Sequence, residues 1–357
     1  MKKKVFLAVL VLPALLLAGC GASSNGTSAS TASPSSPSPT TTSTVSTTAA
    51  SNSATKASFT MTMETGKMDG KPGWPKFVPG NLTLPANADV TLTINSYDDG
   101  NAGIPTGDNK VTGTVGGSMT LDGKSVTSIP TKDVAHTITI SSLGLNVPIA
   151  VKTASEKYSV TTFTFHTPST PTVLNWQCEA ACGSGKDGWE GAMSTDNWMK
   201  GTFNVVNNFY TMTMETGKMD GKPGWPQFVP ANLTLPKNQD VTIAIESYDD
   251  GNAGIPAGDN KVTGTVGGSM ALDGNTVTSI PTNNVAHTIT ISSIGLNVPI
   301  AVKTASEKYS TTEFTFHTPS TPTALTWQCE AACGSGKDGW EGAMITNGWM
   351  KGIFNIQ

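Results

Sequence analysis

Five cysteines occur in the 357-residue chain, and four of them build one motif twice: Cys178-x3-Cys182-Gly183 and Cys329-x3-Cys333-Gly334. A methionine, Met193 or Met344, follows the second cysteine of each motif by eleven residues. Two histidines precede each motif, His136 and His166 in one case, His287 and His317 in the other. Every methionine except Met1 also lies in these two stretches. Such cysteine pairs have two chemical readings. As thiolates facing one soft metal, with thioether and imidazole beside them, they suit copper, above all Cu(I). Zinc would take the cysteines and a histidine but not the thioether, so it ranks second. As a disulfide in an oxidising compartment, each pair would close a ring too small to stabilise the fold much. Residue types alone leave metal and disulfide equally open.

The elements that must hold these residues are duplicated with them. Shifted by 151 residues, the sequence lies on itself without a gap: Phe59-Thr60-Met61-Thr62-Met63-Glu64 returns as Tyr210-Thr211-Met212-Thr213-Met214-Glu215. A unit this long is a whole domain, not a solenoid repeat. Apolar and polar residues alternate in Asn81–Pro85, Asp89–Ile94, His136–Ile140 and Thr162–His166, with turn clusters such as Asp98-Asp99-Gly100-Asn101 between them. No helical apolar stripe competes. The expected fold class is all-β, one sandwich per repeat, with the two copies close neighbours. Most differences between the copies, such as Asn95/Glu246 and Asp196/Asn347, read as surface positions.

Charged residues are only 13% and the formal net charge is -4, which excludes a polybasic nucleic-acid binder. Lys2–Lys4, the apolar run Val5–Leu17 and Ala18-Gly19-Cys20 read as a secretory signal, too short to span a bilayer. Leu17-Ala18-Gly19-Cys20 resembles the bacterial lipobox. That resemblance implies cleavage before Cys20, lipidation of its sulfur, and a membrane-anchored protein on the extracytoplasmic face, in the periplasm or at the cell surface. Residues 20–57 are Ser, Thr, Ala and Pro, a disordered tether reaching roughly 30–35 Å. The expected division is therefore signal 1–19, tether 20–57 and domains 58–206 and 207–357.

Asp133-Val134-Ala135-His136 running into Ser142-Leu143-Gly144 resembles the His strand of the copper-A domain of cytochrome c oxidase subunit II. Cys178-Glu179-Ala180-Ala181-Cys182-Gly183 resembles that domain's cysteine loop, and Phe77–Ile94 resembles the opening strands of cupredoxins. The resemblance covers most of each repeat and implies two tandem cupredoxin-like Greek-key sandwiches. In that topology the start of the His136 strand faces the cysteine loop. The implied ligands are His136, Cys178, Cys182 and Met193, and His287, Cys329, Cys333 and Met344 in the second copy. One departure matters. Where the family has its second histidine and its methionine stand Lys186 and Trp189, or Lys337 and Trp340. That removes the imidazole needed for a binuclear centre or a two-His blue-copper site. His166 does not replace it. Thr162–His166 and Leu174–Cys178 read as a hairpin turning at Pro168–Pro171, which puts His166 roughly 15 Å from Cys178.

Other features take ordinary readings. Met61 and Met63 are core residues. Asp98-Asp99-Gly100-Asn101 is a plain turn without calcium-loop spacing. Trp74, Trp189 and Trp198 anchor loops. No Gly-x-Ser-x-Gly elbow, His-Glu-x-x-His or paired-acid signature occurs, so the chain reads as an electron carrier or metal binder and not as an enzyme. The leading expectation is a lipid-anchored copper protein, serving electron transfer or copper handling beside a respiratory chain, with a cytochrome or oxidase complex as partner. The alternative is a metal-free, disulfide-stapled module of the cell surface.

Overall fold

The computed structural model describes residues 55–68, 70–219, 221–305 and 307–357. The signal, Cys20 and nearly all of the tether lie outside the described residues. Each repeat folds into two facing sheets. In the first, β1 (Lys56–Glu64), β2 (Lys76–Val78), β4 (Asp89–Ser96), β5 (Met119–Leu121), β6 (Lys124–Val126) and β9 (Ser159–His166) form a six-stranded sheet in the order β2-β1-β4-β9-β5-β6. The facing sheet uses β3 (Asn81–Pro85), β7 (Val134–Ile140), β8 (Leu145–Ala150), β10 (Thr172–Gln177) and β11 (Lys200–Val206) in the order β3-β11-β10-β7-β8.

The second repeat copies this plan. β12 (Phe209–Glu215), β13 (Gln227–Val229), β15 (Asp240–Ser247), β16 (Met270–Leu272), β17 (Asn275–Val277) and β20 (Ser310–His317) make the larger sheet. β14 (Asn232–Leu235), β18 (Val285–Ile291), β19 (Leu296–Ala301), β21 (Thr323–Gln328) and β22 (Lys351–Ile356) make the smaller. The protein is thus all-β, a tandem of cupredoxin-like sandwiches. Only Asn207 and Asn208 separate the last strand of the first from the first strand of the second.

The period-two pattern explains the layers. On β4, Val90, Leu92 and Ile94 are buried while Thr91, Thr93 and Asn95 alternate outward. Phe77, Trp176, Phe203, Phe165, Met61 and Met63 fill the core without exposure above 1%. The Trp176 indole N–H, which a dry core could not leave unpaired, donates to the Gly80 carbonyl at 2.9 Å. Met61 and Met63 are therefore packing residues, as the sequence suggested.

One strand pairing departs from expectation. β9 and β10 do not form a hairpin: β9 pairs with β4 and β5 in one sheet, and β10 with β11 and β7 in the other. The Pro168–Pro171 segment crosses between sheets. Two prolines that close a hairpin and two that carry a chain across a sandwich look alike in sequence, because both need only a short, non-helical turn.

Candidate metal centre

β7 carries His136 into the site. The register of β7 against β8 slips between Val134 and His136, a bulge that re-aims the side chain inward. His136 is 1% exposed and its ring lies edge-on to Phe77, with centroids 6.0 Å apart. Cys178 follows the end of β10, its amide held by the Met199 carbonyl at 2.8 Å. The Glu179 amide donates to Thr137 Oγ1 at 2.8 Å, and the Ala181 amide to the Gly103 carbonyl at 2.8 Å. The Glu179 bond ties the Cys-x3-Cys loop to the His strand, and the other two fix it to neighbouring loops. A small hairpin, Ser184 against Glu190, then returns the chain to the turn Gly191–Met193.

The four donors expected from sequence converge. Cys178 and Cys182 are not joined in a disulfide, and their Sγ atoms lie 3.7 Å apart. His136 Nδ1 lies 3.3 Å from Cys182 Sγ and 3.9 Å from Cys178 Sγ. Met193 Sδ lies 3.4 Å from Cys182 Sγ. The second sandwich repeats this, with Cys329 and Cys333 sulfurs 3.7 Å apart, His287 Nδ1 3.9 Å from Cys329, and Met344 Sδ 3.4 Å from Cys333. Two sulfurs bound at about 2.3 Å to one tetrahedral ion would stand about 3.8 Å apart. The sulfurs are already spaced for one shared ion, and the donor set fits a soft one.

His166 sits elsewhere. It is exposed at the end of β9, with Nδ1 2.8 Å from Asp89 Oδ1, and His317 mirrors it against Asp240. Its exclusion from the site holds, although the hairpin argument for it does not.

Asp98 was missed. It belongs to the turn read as plain, and one oxygen does serve that turn by accepting the Gly100 amide at 2.9 Å. The other, Oδ2, lies 2.9 Å from His136 Nε2. Asp249 holds His287 the same way at 3.0 Å. A carboxylate on Nε2 leaves Nδ1 as the nitrogen that faces the sulfurs. The available signal was weak, since a carboxylate beside Gly in a turn has a sufficient local reason to be there.

Electrostatics follow from this geometry. Burial works against a charged His136, but Asp98 and Cys178 outweigh it and push the imidazole up to about 9. Burial opposes ionisation of Cys178 too, yet Cys182, His136 and the Thr137 amide hold it well below the usual thiol range. Hydrogen bonding to Cys178, then burial, pushes Cys182 up. These directions favour, in the metal-free site, a thiolate at Cys178, a retained proton on Cys182 and a protonated His136.

Around the donors stands a second layer that sequence reasoning did not assemble. Trp74 and Trp198 meet edge to face at 5.1 Å under the Lys71 ammonium, which lies 4.6 and 5.0 Å from their rings. Trp74 also lines the Gly191 turn, where an added Cβ would come within 3.2 Å of its indole. Trp74 and Trp198 are partly buried against the core, as loop anchors should be, whereas Trp189 is 44% exposed.

No family model and no curated protein matches the chain. Solved structures do. A multicopper oxidase crystal structure aligns over 85% of this chain and 89% of its own, at 11% identity and a TM-score of 0.25. A copper-containing nitrite reductase from Thermus scotoductus aligns over 85% and 62%, at 11% identity and 0.23. A copper nitrite reductase from Nitrosomonas europaea aligns over 85% and 94%, at 10% identity and 0.25. Likeness at this level concerns the fold alone. It nevertheless corrects one expectation. The sequence reading set the chain apart from enzymes, whereas the structures it aligns with are titled as oxidases, laccases and reductases, so this fold gives no ground for that separation.

Proposed function

We propose that the chain is an extracytoplasmic, lipid-anchored copper protein that carries one copper in each sandwich and serves electron transfer or copper handling beside a respiratory chain. The observation that carries this reading is the convergence of Cys178, Cys182, His136 and Met193 on one point, repeated in the second sandwich. Bound there, copper would supply a one-electron couple and a soft, exchangeable cation. The chain's own residues do the rest. Cys178 and Cys182 offer two anionic sulfurs once Cys182 gives up its proton. His136 offers Nδ1, oriented by Asp98, and Met193 a neutral thioether that favours the cuprous state. The tie between the cysteine loop and β7 fixes the two cysteines against the strand that carries His136, which limits rearrangement when charge changes. Anchoring at Cys20 and a cytochrome or oxidase partner are parts of the proposal that rest on sequence.

The test is anaerobic titration of the reduced protein with Cu(I) against a chromophoric chelator. Two equivalents per chain, falling to none in the Cys178→Ser/Cys329→Ser double variant, is the expected result. Unchanged stoichiometry in that variant, or a mass two protons lighter per repeat in protein purified without reductant and refractory to metal, would favour the disulfide module.

A further inference from the structure

The two sandwiches meet along a seam. One side is the outer face of the second sandwich's larger sheet. The other is the edge of the first sandwich near β1 and β3. Phe209 and Ala244 are buried with the first sandwich's core, and the Phe59 and Phe209 rings lie 6.3 Å apart. Thr60 is close enough to the Tyr309 hydroxyl across the seam to lower its pKa. A Cβ added to Gly274 would fall 1.8 Å from Pro79 Cβ, whereas its counterpart Gly123 has nothing within 4 Å.

Glu313, on β20, lies in this seam. Its register neighbours are Ala244 on β15 and Ala271 on β16. The first repeat has Thr162 between Thr93 and Thr120 at these positions, with Thr93 Oγ1 and Thr162 Oγ1 3.2 Å apart. Three partly exposed threonines have thus become one carboxyl flanked by two alanines, of which Ala244 is buried while Glu313 and Ala271 keep partial exposure. Across the seam, the Thr83 hydroxyl is close enough to the Glu313 carboxyl to lower its pKa against the effect of burial. The cation near this face, Lys308, acts on Glu246 and not on Glu313. Glu246 is engaged with Tyr309, Lys308 and Tyr248, and Asp273 accepts the Thr311 amide at 2.7 Å with Glu307 nearby. From the first sandwich come Thr60, Pro79, Asn81 and Thr83, all uncharged.

We propose that the seam is a proton latch: neutral Glu313 lets the sandwiches close on each other, and its ionisation loosens them. A neutral carboxyl needs little more than one hydroxyl partner, while a carboxylate between alanines lacks the donors its charge requires. Burial pushes Glu313 up to about 7 from 4.5, the direction this demands. The sign follows. A carboxyl whose value is raised in the closed state favours closure fully below about 4.5. That contribution is lost as pH rises towards 7 and changes no further above it.

Small-angle X-ray scattering of the metal-free, reduced full chain from pH 5 to pH 8 tests this independently of copper. The wild-type radius of gyration should grow as pH rises through neutrality. Glu313→Gln should keep the compact value throughout. If that variant misfolds, Glu313→Thr, which installs the first repeat's residue, is read in its place with the same expectation. A wild-type radius constant over the range, or a neutral variant that expands as the wild type does, overturns the latch.

Discussion

Asp98 Oδ2 sits 2.9 Å from His136 Nε2, and this contact decides which imidazole nitrogen faces the two sulfurs. Removing the carboxylate should leave the ring in place, since Phe77 packs against it, but free its tautomer. Asp98→Asn with Asp249→Asn is expected to weaken Cu(I) affinity by about 10–100-fold without changing stoichiometry, the usual effect of losing such a partner. Chelator competition measures the affinity. An unaltered affinity, with unchanged histidine nitrogen chemical shifts, would reduce Asp98 to the turn residue its sequence suggests.

The proton inventory of the empty site makes a second expectation. His136 is raised to about 9, so by itself it stabilises the fold fully below 6.5 and loses that as pH rises through 9. Cys178 is lowered below 9, so by itself it stabilises above 9 and loses that as pH falls through its folded value. Where the two ranges overlap, below 9 and above both 6.5 and the folded value of Cys178, the slopes oppose each other: folding moves a proton from sulfur to nitrogen and takes up none. Apo stability should therefore be nearly flat over that window in denaturant melts. Cys178→Ser/Cys329→Ser removes the sulfur slope and part of what holds His136 up, so stability should fall as pH rises over a narrower range, set by Asp98 alone.

The same inventory fixes the protons that metal must displace. Near pH 7.5, the Cys182 thiol and the His136 imidazolium each hold one proton that a bound cation would expel, while Cys178 is already ionised. Calorimetry in buffers of different ionisation enthalpy should give about two protons per site. Release of three would mean that Cys178 is a thiol.

Much of this centre was legible in the sequence because its donors are rare residue types at fixed spacing, and Cys-x3-Cys and the distant Met193 can be counted. His136 needed more: only a resemblance placed its strand beside the loop. Asp98, Phe77 and the Lys71–Trp74–Trp198 cluster were not legible, because residues of common type brought together by the fold leave no local spacing to read. The seam was misread for the same reason. Thr93/Ala244, Thr120/Ala271 and Thr162/Glu313 are scattered differences between copies, yet strand register makes them neighbours on one face. A difference between repeats is harmless only if both repeats have the same neighbours, and here the second sandwich has the first one against it.

Two changes near Met193 separate the thioether from the loop that presents it. Met193→Leu with Met344→Leu keeps volume and removes sulfur, so stability should change by less than about 1.5 kcal/mol. The cuprous preference should weaken and the oxidised spectrum shift, with stoichiometry retained by the other donors. Gly183→Ala with Gly334→Ala touches no donor. A Cβ at Gly183 would nevertheless lie 2.2 Å from the Glu190 carbonyl oxygen and 2.7 Å from Met193 Cγ. Backbone must move to admit it, and the Ser184–Glu190 hairpin carrying the methionine moves with it. The alanine variant should therefore disturb the copper spectrum at least as much as the leucine variant, with all four ligands still present. A glycine variant with native affinity and spectrum would show that the loop does not position the thioether.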